Sequence, residues 1–174
     1  MTPFPIWNKA AGDLWPELEQ AWRDAKQWLF DRGLVPNVNG VFWMQGESDT
    51  IETALYEGYA DNLNAFISDV RDLVTTRPNN EAEVPFVICK LIDHDRQQFP
   101  AVGVAAVRAA QASVAAGDPQ VSIVDLDSLP ISSDKIHITT EACFDAGALI
   151  APGLDQVSDD YDAAGGGAGG LTVA

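Results

Sequence analysis

Asp134 and His137 are the residue types and spacing that most directly suggest chemistry. They form an Asp-Lys-Ile-His run just before a helical pattern. A carboxylate beside an imidazole fixes its tautomer and stabilises the imidazolium, which lets the imidazole act as general base for a hydroxyl nucleophile. A surface histidine that happens to lie near an aspartate is the commoner origin of such a pair. The second polar concentration is Gln45-Gly46-Glu47-Ser48-Asp49, which follows the uncharged run Val41–Met44. That run reads as a strand covered on both faces, and Gly46 permits a sharp turn after it. In open α/β sheets ligands bind beyond the carboxyl ends of strands, so this turn is a natural seat for chemistry.

The elements that must position these groups alternate along the chain. Trp15, Leu18, Trp22, Ala25, Trp28 and Leu29 recur at helical spacing, with Asp13 as the expected cap, Pro16 in the first turn and Gly33 as the stop. The three tryptophans read as core rather than as a sugar-stacking stripe. After the strand at 41–45 comes one amphipathic helix from about Glu52 to Val74, whose apolar face is Leu55, Tyr59, Leu63, Phe66, Ile67, Val70 and Leu73. Arg77 to Glu81 is a loop. A second strand covers Pro85 to Ile92 and ends in Asp93-His94-Asp95-Arg96. An alanine-rich helix follows from Val104 to Ala116, then a third strand from Val121 to Leu126. Thr139 or Thr140 caps a last helix reaching Leu149 or Ile150, where Pro152 and Gly153 end it. This order predicts an α/β fold, a three-layer α/β/α sandwich around a short parallel sheet. Residues 1–157 form the domain; 158–174, acidic and then rich in glycine and alanine, read as a flexible tail or linker.

Composition narrows the function classes. The chain has 174 residues, enough for one domain with a core. Its net charge of −16 argues against nucleic acid or an anionic membrane as partner, since both need clustered lysine and arginine. Neither a signal peptide nor a membrane-length apolar run is evident. No phosphate-binding glycine loop and no metal-ligand spacing appears, so no cofactor or metal is expected. Cys89 and Cys143 sit in apolar contexts and read as small buried hydrophobes. The sequence leaves the compartment open.

Taken together, W-x-Q-G-E-S-D after a strand and D-x-I-H-x-T before the last helix resemble the SGNH-hydrolase superfamily, and within it the sialate O-acetylesterase-like carbohydrate esterases. Tyr59-Ala60-Asp61-Asn62-Leu63, Val107-Arg108-Ala109-Ala110-Gln111, Val124-Asp125 and Gly147 match in order. The resemblance spans roughly residues 7–152. It implies a flavodoxin-like fold and Ser-His-Asp acyl transfer to water on an acetylated carbohydrate or other small ester. Asp134 and His137 match the family's acid and base, and Gln45 would donate its side-chain amide to the oxyanion. Glu47 and Asp49 would hold the loop, and Gly12 is a degenerate candidate for a second oxyanion donor.

One departure matters. The family's nucleophilic serine lies after its first strand in a G-Q-S-N-like or G-D-S-like block, and no serine precedes Ser48 here. The sheet is therefore expected to lack its first strand, leaving an edge for a partner chain to cover. Three readings follow. The serine lies on a separate or missing segment; or Ser48 has taken over, since Gly46-Glu47-Ser48 turns from strand to helix as a nucleophile elbow does. Otherwise the domain is a non-catalytic binding or structural module of a larger assembly, such as a virion or cell-surface protein.

Overall fold

A computed structural model describes residues 4–75, 84–93 and 99–163. The loop expected at 77–81, the stretch from His94 to Arg96 and the chain beyond 163 lie outside these residues. The elements run α1 (Trp15–Phe30), β1 (Val41–Trp43), α2 (Thr53–Glu57), α3 (Tyr59–Val74), β2 (Phe86–Cys89), α4 (Ala101–Gly117), β3 (Val121–Val124) and α5 (Ala142–Ala163). Short 3-10 turns occupy Phe4–Trp7 and Ser48–Thr50.

The three strands form a parallel sheet in the order β1-β2-β3. Phe42 pairs with Val87, and Ile88 with Ile123. Alternation along β2 divides the core between the two faces. Phe86 and Ile88 point into a cluster with Trp15, Leu63, Phe66 and Val107, from α1, α3 and α4. Val87 and Cys89 point the other way, onto Ala142, Ala146 and Ile150 of α5. Helices thus cover both faces, giving the α/β fold with a short parallel sheet that the sequence order predicts.

Several boundaries differ from expectation for identifiable reasons. Helix α1 is capped by Leu14 without a side-chain hydrogen bond, so Asp13 is not its cap; the Leu14 N–H donating to Ile6 O at 3.0 Å sets the start. Gly33 does close the turn that ends the helix, at φ 71°, a conformation that costs glycine little. Trp15 is buried, but Trp28 is 54% exposed and lies under the Arg32 guanidinium, 3.8 Å from the ring centroid. Trp28 is therefore a surface cation–π partner, not core. The single helix expected from Glu52 to Val74 is two helices, α2 and α3, because Gly58 ends one and begins the other. Helix α5 does not stop at Pro152 and Gly153; it runs through them to Ala163. Packing offsets the lost backbone donor there. Ser122 Oγ donates to Gly153 O at 2.7 Å, and a Cβ on Gly153 would fall 2.7 Å from Val124 Cγ2. Glycine at this point lets α5 sit close against β2 and β3. The tail expected from Ser158 is helical as far as Ala163.

Strand β1 departs most from the expected picture. It is an edge strand among the described residues, and Phe42 and Met44 are 57% and 43% exposed rather than covered. Helix α5 packs on β2 and β3, which leaves the β1 part of that face open.

On the other face, α4 crosses the Ser48–Thr50 turn closely enough that a Cβ on Gly103 would lie 1.9 Å from Thr50 O. Gly103→Ala must push this backbone aside. We expect a loss of about 1–3 kcal/mol in stability, read from urea unfolding, because the obstacle is main chain and not a rotatable side chain.

Candidate active site

The Asp134–His137 pair is held in a tight hairpin. Ile131 and Ile138 form an antiparallel bridge across it. His137 O accepts from Ser132 N at 2.7 Å, and Pro130 O accepts from Thr139 N at 3.0 Å. Lys135 turns the chain at φ 62°, a conformation that costs a non-glycine residue. Asp134 organises the turn. Its Oδ1 accepts from Ser132 Oγ at 2.5 Å, Ile136 N at 2.9 Å and His137 N at 3.0 Å. Its Oδ2 lies 2.6 Å from His137 Nδ1.

The Ser132 hydroxyl, then the imidazole and the two backbone N–H groups, hold the Asp134 carboxyl well below the usual carboxylate range. An ionised carboxylate only accepts, so His137 Nδ1 carries the proton and donates it. That tautomer leaves the Nε2 lone pair free of a proton, as a general base requires. Beyond pairing with the imidazole, Asp134 fixes the backbone on which His137 sits.

The depressed Asp134 pKa carries a definite sign. Its contribution to stability is fully present above the unfolded value of about 3.9 and is lost as pH falls below it. A carboxyl ¹³C titration of the folded protein should place the Asp134 midpoint well under that value. A midpoint near 4 would mean the turn does not hold the ion.

His137 lines a cavity of about 740 Å³ between the open face of β1 and helix α5. Gln45, Glu47, Lys90, Ile136, Ile138 and Cys143 line it as well, and its floor is apolar, with Phe42, Met44, Leu126, Ile150 and Leu154. Cys143 is exposed, not the buried hydrophobe expected; it lies at the start of α5, on the cavity side. Cys89 is buried as expected, and burial pushes its thiol up to about 12.

Gln45 comes to the cavity from β1 through a buried hydrogen-bonded network. Its Nε2 donates to Asp49 Oδ2 at 2.5 Å, and its backbone O accepts from Tyr59 OH at 2.9 Å and Gln111 Nε2 at 3.2 Å. Gln111 Oε1 accepts from Leu91 N at 2.8 Å, tying the ends of β1 and β2 together. Asp49, Tyr59 and Gln111 are fully buried. Desolvation raises the Tyr59 pKa far above its ordinary value, so the phenol remains a donor at any working pH. Gly46 sits at φ 153°, with Val107 Cγ1 3.0 Å from where a Cβ would be. Beside this network Arg108 makes paired bonds of 2.8 and 2.7 Å to Asp127 and also donates to Leu91 O.

The structure therefore brings His137 and Gln45 to one cavity, with Asp134 outside the lining and bonded to the His137 ring. It places Ser48 elsewhere: Ser48 is 6% exposed in the 3-10 turn and is not among the cavity residues. Gly12 lies in the turn before α1, where its N–H donates to Asn8 O at 2.7 Å. No serine is among the described residues that line the cavity. The helical pattern presents Tyr59 as core alone, yet its hydroxyl holds Gln45 O. Its hydroxyl role was hidden because a buried tyrosine and a buried phenylalanine give the same helical pattern. Gln111 did carry a signal, as an amide on the buried stripe of an alanine-rich helix. Among the described residues, no group of three or more histidine, cysteine, aspartate or glutamate side chains could hold a metal. No helix there is long and apolar enough to cross a membrane.

Comparison with known proteins bears on the family and the fold. The family model described as carbohydrate esterase, sialic acid-specific acetylesterase, matches residues 4–155. A probable carbohydrate esterase of Arabidopsis thaliana is 30% identical over 115 residues, which are 66% of this chain and 39% of that protein. The crystal structure of an Arabidopsis thaliana protein superposes with a TM-score of 0.69 at 23% identity, covering 88% of this chain and 56% of the other. At that identity the superposition speaks for the fold. The chain thus spans about two fifths of the curated relative's length and just over half of the crystallised one.

Proposed function

The chain belongs to the sialic acid-specific acetylesterase family of carbohydrate esterases, and from that premise we propose that its cavity is the acyl-transfer half of an O-acetylesterase site. The reaction is hydrolysis of an acetyl or other small ester on a carbohydrate. The observation that carries the reading is His137, held 2.6 Å from Asp134 and lining the same cavity as Gln45.

In this proposal each residue has a role, and the Asp134–His137 contact supports the acid–base part of it. His137 Nε2 takes the proton of a serine hydroxyl as it attacks the ester carbonyl, and returns it to the leaving sugar oxygen. Water then repeats the sequence on the acyl-enzyme. Asp134 keeps the proton on Nδ1 and stabilises the imidazolium. Gln45 donates to the oxyanion of the tetrahedral intermediate. The nucleophile in this proposal is a serine on a strand that adds beside β1, the edge strand among the described residues. Phe42 and Met44, exposed on the open face beside that edge, support such an addition, as strand pairing in general does.

The test is hydrolysis of p-nitrophenyl acetate by the chain alone and by the chain fused to an N-terminal strand carrying a G-x-S block. Turnover should depend on the fused serine. A well-folded fusion that gives no turnover overturns the reading and favours the alternative, a non-catalytic module of a larger assembly. The absence of serine among the described cavity residues is what keeps that alternative in view.

A further inference from the structure

The network behind Gln45 contains a carboxylate that the acyl-transfer scheme does not use. Asp49 is fully buried in a chain whose other acids are mostly solvated, and it is not among the cavity residues. It lies in the Ser48–Thr50 turn, four residues after Gln45, with its Oδ2 2.5 Å from Gln45 Nε2. We propose that Asp49 is a positioning residue: its buried carboxylate takes one proton of the Gln45 side-chain amide and fixes the amide plane so that the second proton serves the oxyanion beside His137.

This inference rests on the acyl-transfer reading, and its physical basis is the asymmetry of a primary amide. The two ends of the Gln45 side chain have similar size but opposite hydrogen-bonding character, so shape alone does not select one orientation. A carboxylate does select one. With Nε2 toward Asp49 the contact is a short charge-assisted hydrogen bond. With the amide reversed, Oε1 would face the carboxylate, acceptor against acceptor.

The backbone beneath the side chain is fixed as well. Gln45 O accepts from Tyr59 OH and from Gln111 Nε2, which anchors the peptide to α3 and α4. Only the side-chain torsions remain, and Asp49 takes those. An amide nitrogen has two protons. One is committed to Asp49, and the direction of the other is then set before substrate arrives, which is the preorganisation that makes an oxyanion donor effective.

The experiment has two arms. In the first, the chain is labelled with [¹⁵N]glutamine and the Gln45 side-chain resonance is assigned by its loss in Gln45→Met. The two Nε2 protons should be widely separated in shift and slow to exchange. In Asp49→Asn, which keeps the shape and removes the charge, the separation should collapse while the other amides stay in place. Rapidly averaging Gln45 protons in the unmutated chain overturn the proposal without any variant, as does an unchanged Gln45 resonance in Asp49→Asn.

The second arm uses the serine-strand fusion and p-nitrophenyl acetate. Asp49→Asn should lower kcat by about 10²-fold, the scale for losing one oxyanion donor, with KM nearly unchanged. Gln45→Ala should match it, and the double variant should be no worse. A fusion in which Gln45→Ala impairs turnover and Asp49→Asn does not would overturn the positioning role. A folded fusion with no turnover at all would instead count against the acyl-transfer reading, and the first arm would still decide how the amide is held.

Discussion

Replacing His137 with alanine should lower kcat for ester hydrolysis by about 10⁴-fold in the serine-strand fusion, with KM nearly unchanged. His137 is the one histidine among the described residues that line the cavity, and its imidazole is the general base of the proposed reaction. Without it, the attacking serine must lose its proton to water. The size of the loss follows from the acid–base step and not from binding, because His137 is 70% exposed at the rim and buries little surface of its own. Asp134→Asn should cost nearly as much. An asparagine can offer its N–H to Nδ1, which moves the imidazole proton to Nε2 and removes the base.

These two losses should not add. His137 and Asp134 act as one unit, so the double variant should resemble either single one. The product of the two single losses in the double variant would mean that the residues act separately, and so would His137→Ala activity within tenfold of the parent. Asp134→Ala is less clean as a test. It also removes the acceptor for Ser132 Oγ and two backbone N–H groups, and the hairpin would loosen with it.

How much of this was legible in the sequence depends on the range of the force involved. The apolar stripe from Tyr59 to Leu73 and the uncharged runs at 86–89 and 121–124 are local patterns, and they became α3, β2 and β3 with nearly the expected faces. The dyad was legible because Asp134 and His137 are three residues apart and meet inside one turn. What could not be read was set by partners distant in sequence. Val41–Met44 has the composition of a doubly covered strand, but coverage depends on neighbours, and none of the described elements covers the α5 face of β1. Pro152 and Gly153 usually end a helix. Here the contact with Ser122 and Val124, some thirty positions away, decides otherwise. Tyr59 and Asp49 meet around Gln45 only because α3 and the Ser48–Thr50 turn fold back onto the same strand end.

Arg71→Ala should cost about 3 kcal/mol of folding stability, and the reason lies in what the substitution leaves behind. Arg71 is 8% exposed, in the last turn of α3. Its Nε donates to Val84 O at 2.9 Å, Nη1 to Asp118 Oδ2 at 2.6 Å and Nη2 to Gln120 O at 3.1 Å. One guanidinium thus joins the segments entering β2 and β3 and aligns them for the pairing of Phe86 with Val121. Alanine would remove the cation and strand its partners. Two carbonyls would lose a donor, and the Asp118 carboxylate, 27% exposed, would lose its counter-ion. Breaking a buried pair on one side costs about 3–5 kcal/mol, and the partial exposure of Asp118 puts this case at the low end, since water can reach the carboxylate. Arg71→Lys should recover less than half, because an ammonium is a point donor and cannot copy the three directions of the guanidinium fork. Urea unfolding reads the change directly, as a lower midpoint at constant slope. A loss under 1 kcal/mol would show that the strands find their register without this clamp. Since β1 is in turn registered on β2, the Gln45 network depends on the same clamp. A stability loss of this size should therefore bring a measurable loosening of the Tyr59 and Gln111 amide protons against hydrogen exchange.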